Sequence, residues 1–258
     1  MTRLVLLSGW GIDARIWHSL APYWPDDIQV TTPDWPGYSS QGIDTPAGDP
    51  PPETLAPEDM AGLGRRMAMA LPADAVWVGW SLGGLLACAL LAHLPPPRTL
   101  VMLGMGARFC ATDGVTPEEL ATFRRAFARN PKATWQHFLR WQLQGEPAPR
   151  TAHRRLLDLI GRQPSASHST LSAGLTQLAT LDIAHLLAAP PCRVLHMAGQ
   201  QDPLLSPAAR CAADVTFGAT GHCPMLTRPD QLASRLVAIA RHAGCEAGTS
   251  VHGKEPAS

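Results

Sequence analysis

Ala75-Val76-Trp77-Val78-Gly79-Trp80-Ser81-Leu82-Gly83-Gly84-Leu85-Leu86-Ala87-Cys88 is the stretch on which the fold turns. Residues 75–78 form a continuous apolar run, the pattern of a strand buried on both faces. From Leu82 the apolar residues continue to Leu94, a length that a helix fills, until Pro95-Pro96-Pro97 closes it. Between the two lies Gly79-x-Ser81-x-Gly83. At this composition roughly one random chain in ten carries such a pentapeptide, so the motif alone says little. Its setting says more, because a strand, a tight turn and a helix place a serine with its Oγ exposed above a sheet. Glycines are required there because the turn leaves no room for Cβ atoms. Gly84, Ala87 and Cys88 keep the helix thin where it meets the sheet. The bland alternative is a glycine-rich turn with a solvent-facing serine.

Outward from this turn, apolar runs recur at Leu4–Leu7, Ile28–Thr31, Thr99–Leu103, Arg193–Met197 and Asp214–Phe217. Helix-like stretches lie around residues 16–20, 57–71, 82–94 and 229–242. Alternating β and α runs predict a doubly wound α/β core, here spanning 1–107 and 182–243. Segment 108–181 breaks the rhythm and has no clear strand. Thr116-Pro117-Glu118-Glu119 is a capping box with proline at the first helical position, opening a helix to about Ala128. A second helix carries Trp135, Phe138, Leu139 and Trp141, and others follow near 152–160 and 170–178. We expect an all-helical lid inserted between two strands. Residues 44–57, with five prolines, read as an exposed loop, and 244–258 as a disordered tail.

Of the 258 residues, 45% are hydrophobic and 16% charged, enough for one core plus an insertion. The 21 basic and 21 acidic side chains balance, which argues against a nucleic-acid binder. The apolar stretch 82–94 is too short for a bilayer, which needs about 20 residues. Leu4–Leu7 is too short for a secretory signal. The six cysteines are scattered, without a C-x-x-C pair, and read as reduced thiols of a cytoplasmic protein. Of the basic residues 19 are arginine, a bias of coding composition. Their distribution is more informative. Segment 108–181 holds ten basic and five acidic residues, a net +5 within a neutral chain.

A serine nucleophile needs a base and an acid, in the order Ser, acid, His. The best acid after Ser81 is Asp202 in Gly199-Gln-Gln-Asp202-Pro203, just past a buried strand. Asp158 and Asp182 are rivals but sit in or beside the insertion. The best base is His222 in Gly218-Ala-Thr-Gly221-His222-Cys223, right after the last strand-like run. His18, His93 and His242 fall on amphipathic helices, His196 within a strand, and His137, His153, His168 and His185 in or near the insertion. Two backbone N–H donors must hold the oxyanion. Leu82 supplies one, and Trp10, in Ser8-Gly9-Trp10-Gly11 after the first strand, the other.

Taken together, these pieces resemble the α/β-hydrolase superfamily over nearly the whole chain. Val5-Leu-Leu-Ser-Gly-Trp-Gly11, Trp77-Val-Gly-Trp-Ser-Leu-Gly-Gly-Leu85 and Gly199–Pro203 are similar to the pimeloyl-[acyl-carrier protein] methyl ester carboxylesterase family of biotin synthesis. Phe138-Leu139-Arg140-Trp141-Gln142 resembles that family's acyl-channel segment, which implies substrate contact at those five residues. The resemblance also implies docking of an acidic acyl-carrier protein on lid arginines, with Arg150 and Arg154 at the matching spacing. Two further family arginines are replaced here by Ala133 and His137. Lys132, Arg140, or Arg124 and Arg125 with Arg129, are candidate substitutes. The +5 segment points to an acidic partner independently, since long-range attraction raises association rates. Ser8 stands where the family has histidine. The chain also lacks the superfamily's N-terminal hairpin, so about six mostly parallel strands are expected.

The resemblance thus implies a monomeric cytoplasmic serine esterase, acting on a carrier-bound methyl ester without metal or organic cofactor. A general short-chain carboxylesterase or thioesterase would share the triad but not the carrier dependence. A non-catalytic ligand-binding module is the third reading, against which Ser81, Asp202 and His222 stand together.

Overall fold

The computed structural model describes residues 2–39 and 56–249, with residues 245–249 described by backbone alone. Six strands form one sheet: β1 (Thr2–Leu7), β2 (Ile28–Thr31), β3 (Ala75–Trp80), β4 (Thr99–Leu103), β5 (Arg193–Gly199) and β6 (Val215–Phe217). Their order is β2-β1-β3-β4-β5-β6, and every neighbouring pair is parallel. All the apolar runs read from the sequence become strands. Every residue of β3 and β4 is buried, as their unbroken apolar character requires. Each fully buried aliphatic side chain there contributes about 1.5–3 kcal/mol.

The connections are mainly helical. Residues 14–23 form a 3-10 helix that buries Ile16, Trp17 and Leu20. Helix α1 (Met60–Met67) is shorter than expected, and its start is set by the Asp59 carboxylate, which caps it by accepting the Gly62 N–H at 2.7 Å. Helix α2 (Leu82–Ala89) is buried at every residue and ends in a 3-10 turn (Leu90–Ala92), ahead of the three prolines. Helices α3 (Pro117–Arg129), α4 (Pro131–Trp141), α5 (Pro149–Ile160) and α6 (His168–Thr180) make up the insertion between β4 and β5. The capping box is present in both directions: the Thr116 hydroxyl accepts the Glu119 N–H at 3.2 Å, and the Glu119 carboxylate accepts the Thr116 N–H at 2.8 Å.

Three short helices were not foreseen: α7 (Ala184–Ala188), α8 (Pro207–Cys211) and α9 (Pro224–Thr227). Each is under two turns long, too short for periodicity to register. The last helix, α10 (Pro229–Thr249), continues past residue 244, where a disordered tail was expected to begin. Residues 250–258 and nearly all of the expected 44–57 loop lie outside the described residues.

Where the insertion leaves and rejoins the sheet, its ends meet. Ile183 N–H donates to the Ala107 carbonyl at 3.0 Å, and Arg108 pairs with Asp182. Two further ties reach the insertion from the core. Arg15, held by Asp13, donates to the Ile160 carbonyl at 2.7 Å, and Arg155 donates to the Leu226 carbonyl at 3.1 Å.

Candidate active site

A parallel sheet brings the carboxyl ends of all its strands to one edge, and the loops after β1, β3, β4, β5 and β6 gather there. The strand order reverses direction between β1 and β3, the position where open α/β sheets leave a crevice. Ser81 sits there, between β3 and α2. Its backbone is at φ 56°, ψ −128°, an uncommon conformation for a side-chain-bearing residue. The Ser81 N–H donates to the Leu103 carbonyl at 2.8 Å and pins the turn to β4. A methyl at position 79 would lie 2.5 Å from the Gly83 carbonyl oxygen, and one at 83 would lie 2.5 Å from the Ser8 carbonyl oxygen. The glycines are therefore steric necessities of this elbow.

His222 and Asp202 form a buried pair, 1% and 0% exposed, with Nδ1 and Oδ2 2.7 Å apart. The other carboxylate oxygen of Asp202 accepts the Leu204 N–H at 2.9 Å. The ring's Nδ1 thus faces Asp202, and Nε2 is the ring nitrogen left clear of that carboxylate. His222 Nε2 is buried and has no hydrogen-bond partner among the described residues. Trp80, the residue before Ser81, donates its indole N–H to the His222 carbonyl at 2.8 Å, and its ring lies 5.3 Å from the imidazole. The elbow and His222 are thereby linked by one side chain. Asp158 lies within α5, and Asp182 is engaged by Arg108 at the surface.

The loop after β1 lies against the serine: a methyl on Gly9 would be 2.9 Å from Ser81 Cβ. Three long-range bonds hold this loop. Trp35 donates to the Ser8 carbonyl (2.9 Å), the Tyr38 hydroxyl accepts the Gly11 N–H (2.9 Å), and Trp135 donates to the Gly11 carbonyl (2.7 Å). Burial pushes the Tyr38 phenol well above its ordinary range, which keeps it neutral. The Ser8 hydroxyl is itself buried and has no partner among the described residues. The loop's backbone is braced by these three aromatic residues. Leu82 opens α2, where the first N–H groups have no partner within the helix.

The insertion packs directly on Trp10. Its indole donates to the Leu171 carbonyl at 2.8 Å, and Phe138, Phe127 and Phe123 meet its ring edge-on, at 4.9, 5.6 and 5.7 Å. Of the five residues singled out at the end of α4 and its C-cap, Phe138 joins this cluster and Leu139 is fully buried. Gln142 is also fully buried, with neither amide atom partnered among the described residues. Trp141 is half-buried and lines a cleft of about 740 Å³ between α3 and α4, while Arg140 is exposed. Arg150 and Arg154 are exposed one turn apart on α5, and Arg124 and Arg125 are exposed on α3. Arg124 bonds Thr176, and Arg125 bonds Thr122.

The sequence reading missed Gly104, Tyr38, the bracing role of Trp80, and Glu146. Gly104, after β4, is at φ +64°, and a methyl there would lie 3.0 Å from His222 Nδ1 and Cε1 and 3.2 Å from Asp202 Oδ2. A glycine directly after a predicted strand was the available signal. Among the described residues, no group of three or more His, Cys, Asp or Glu side chains is placed to hold a metal ion.

A strained serine on a strand–turn–helix elbow, tied through Trp80 to a loop that carries a buried Asp–His pair, has the architecture of serine hydrolases. Residues 4–235 match the alpha/beta hydrolase family, and the chain belongs to that family. Its similar relatives are more specific. Over 93% of this chain and 94% of the relative, it is 28% identical to a pimeloyl-[acyl-carrier protein] methyl ester esterase of Klebsiella pneumoniae (strain 342). It is 30% identical to a protein of the same description from Aromatoleum aromaticum, over 92% of this chain and 98% of the relative. Among solved structures, an esterase from Exiguobacterium antarcticum superposes with a TM-score of 0.73 over 93% and 92% of the two chains. At 17% identity that likeness speaks for the fold alone.

Proposed function

We propose that this enzyme hydrolyses the methyl ester of pimeloyl-[acyl-carrier protein], releasing methanol and the free carboxylate, as the names of its relatives describe. The observation that carries the hydrolytic reading is the buried Asp202–His222 pair, with its unpartnered Nε2, beside the strained elbow of Ser81. His222 takes the Ser81 proton as Oγ attacks the ester carbonyl. The N–H groups of Leu82 and Trp10 hold the oxyanion. The imidazolium, steadied by Asp202, protonates methanol as it leaves, and water releases the acyl group by the same path. No cofactor enters these steps.

The helical insertion serves as the lid. Its Phe138, packed on Trp10, and half-buried Trp141, which lines the cleft between α3 and α4, would bury acyl methylenes, at about 0.8 kcal/mol each. Arg150 and Arg154, with Arg124 and Arg125, would attract the acidic carrier, supported by their exposure and by the segment's net +5. A monomer acting in the cytoplasm completes the proposal. Its scattered free thiols support the compartment, and sedimentation analysis checks the oligomeric state.

The test compares turnover of the carrier-bound methyl ester with that of a free short-chain ester, using Ser81→Ala as control. Strong preference for the carrier-bound ester, lost in the variant, is expected. Equal turnover of both would make this a general esterase. Turnover of either that survives in Ser81→Ala would refute the triad.

A further inference from the structure

The turn joining α4 to α5 leans on the two loops that carry Asp202 and His222. Gly145, at φ +93°, runs so close to the first that a methyl on it would lie 2.0 Å from the Gln201 carbonyl oxygen. Glu146 follows and is 4% exposed. Its Oε1 accepts the Cys223 N–H at 2.8 Å, and its Oε2 accepts the Thr227 hydroxyl at 2.7 Å. Gly221, on the other side of His222, passes the same oxygen: a methyl there would be 3.0 Å from Oε1. A single carboxylate oxygen of the insertion thus bonds one chain neighbour of His222 and leaves no room for a side chain on the other. Burying a carboxylate is costly, and charge-assisted bonds of this kind are stronger and more directional than neutral ones.

We propose that Glu146 is a positioning residue for His222, a strut through which the seating of the insertion sets the base. The inference rests on the triad reading and on nothing about the carrier protein. If the insertion moves away from the sheet, the acceptor leaves the Cys223 N–H and the loop around His222 loses its anchor. The base is then in place only while the insertion is seated over Ser81. A residue that merely stabilised the fold would lower the melting temperature and leave the folded enzyme's turnover unchanged.

The full chain is assayed on p-nitrophenyl butyrate as Glu146→Ala and Glu146→Gln, alongside wild type. For Glu146→Ala, kcat falls about tenfold or more while KM stays within about twofold, as expected for a misplaced catalytic group. Labelling of Ser81 by a fluorophosphonate slows in parallel. Glu146→Gln stays within about threefold of wild type, because its amide oxygen accepts the Cys223 N–H and its amide nitrogen donates to Thr227. A folded Glu146→Ala with unchanged kcat, a loss confined to KM, or a Gln variant no better than Ala overturns the proposal. Should Glu146→Ala fail to fold, Glu146→Asp replaces it, its shorter side chain being unable to reach both partners, with the same readings. Turnover that survives in His222→Ala would refute the triad and the strut together, whereas an ordinary carrier-independent esterase would leave the strut intact.

Discussion

Gly104→Ala separates the demands of the backbone from those of the site. Gly104 is at φ +64°, where an L side chain costs about 1–2 kcal/mol. Gly161, which ends α5 at φ 83°, ψ −171°, occupies a region still less open to side chains, and a methyl there would meet nothing within 4 Å. Both substitutions therefore carry a backbone penalty, worth a fall of about 2–8 °C in melting temperature for a domain of this size. Only the methyl at 104 meets the Asp202–His222 pair, at 3.0 Å from the imidazole and 3.2 Å from Asp202 Oδ2, so the ring must yield by a few tenths of an ångström. A 1 Å error in a reacting group costs about a hundredfold, so a shift of a few tenths costs about three- to sixfold in kcat. Turnover of a p-nitrophenyl ester and thermal unfolding, measured on both variants, give the comparison. The reasoning is refuted if Gly104→Ala loses no more kcat than Gly161→Ala.

Trp80→Phe removes the indole N–H that holds the His222 carbonyl, and we expect kcat to fall several-fold, with about 1 kcal/mol lost from stability. An unchanged kcat in that variant would deny the link between elbow and base. Reversing charge at Arg150 and Arg154 together should lower kcat/KM for the carrier-bound ester and flatten its salt dependence while sparing a small free ester, as a salt titration of both substrates would show. Burial pushes the Cys88 thiol up to about 12, and burial beside Glu146 and Asp202 holds that of Cys223 well above the ordinary thiol range. Iodoacetamide at pH 8 should thus modify exposed Cys211 in the native protein and leave Cys88 and Cys223 untouched until it unfolds, as peptide mass mapping would read.

The sheet was legible because strands buried on both faces cannot hide their apolar runs. The elbow was legible because Gly79, Ser81 and Gly83 answer to contacts within a few residues of themselves. That Asp202 and His222 would meet was legible from their places after strands, since a parallel sheet sends every such loop to one end. What escaped was pairwise and distant. Nothing local to Gly104 says that an imidazole lies beside it, and nothing around Glu146 names Cys223, seventy-seven positions away, as its partner. Tyr38 and Trp35 were silent for the same reason: they serve the β1 loop from a segment that follows another strand. Arg140 was selected for the company it keeps in sequence, and the turn of α4 leaves it in solvent beside buried Leu139 and Gln142.

The junction at Ala107 and Ile183 has an implication for descent and for engineering. Because one hydrogen bond closes the neck between them, the chain enters and leaves the insertion at almost the same point in space. None of the six strands takes a residue from what hangs between those two positions. Closing a loop of different length there changes the entropy only slowly, by about 0.6 kcal/mol for each doubling. A lineage can therefore exchange one cap for another and acquire a new clientele while the sheet beneath it goes on presenting the same serine. The graft that a protein engineer would attempt has its two cut sites already marked.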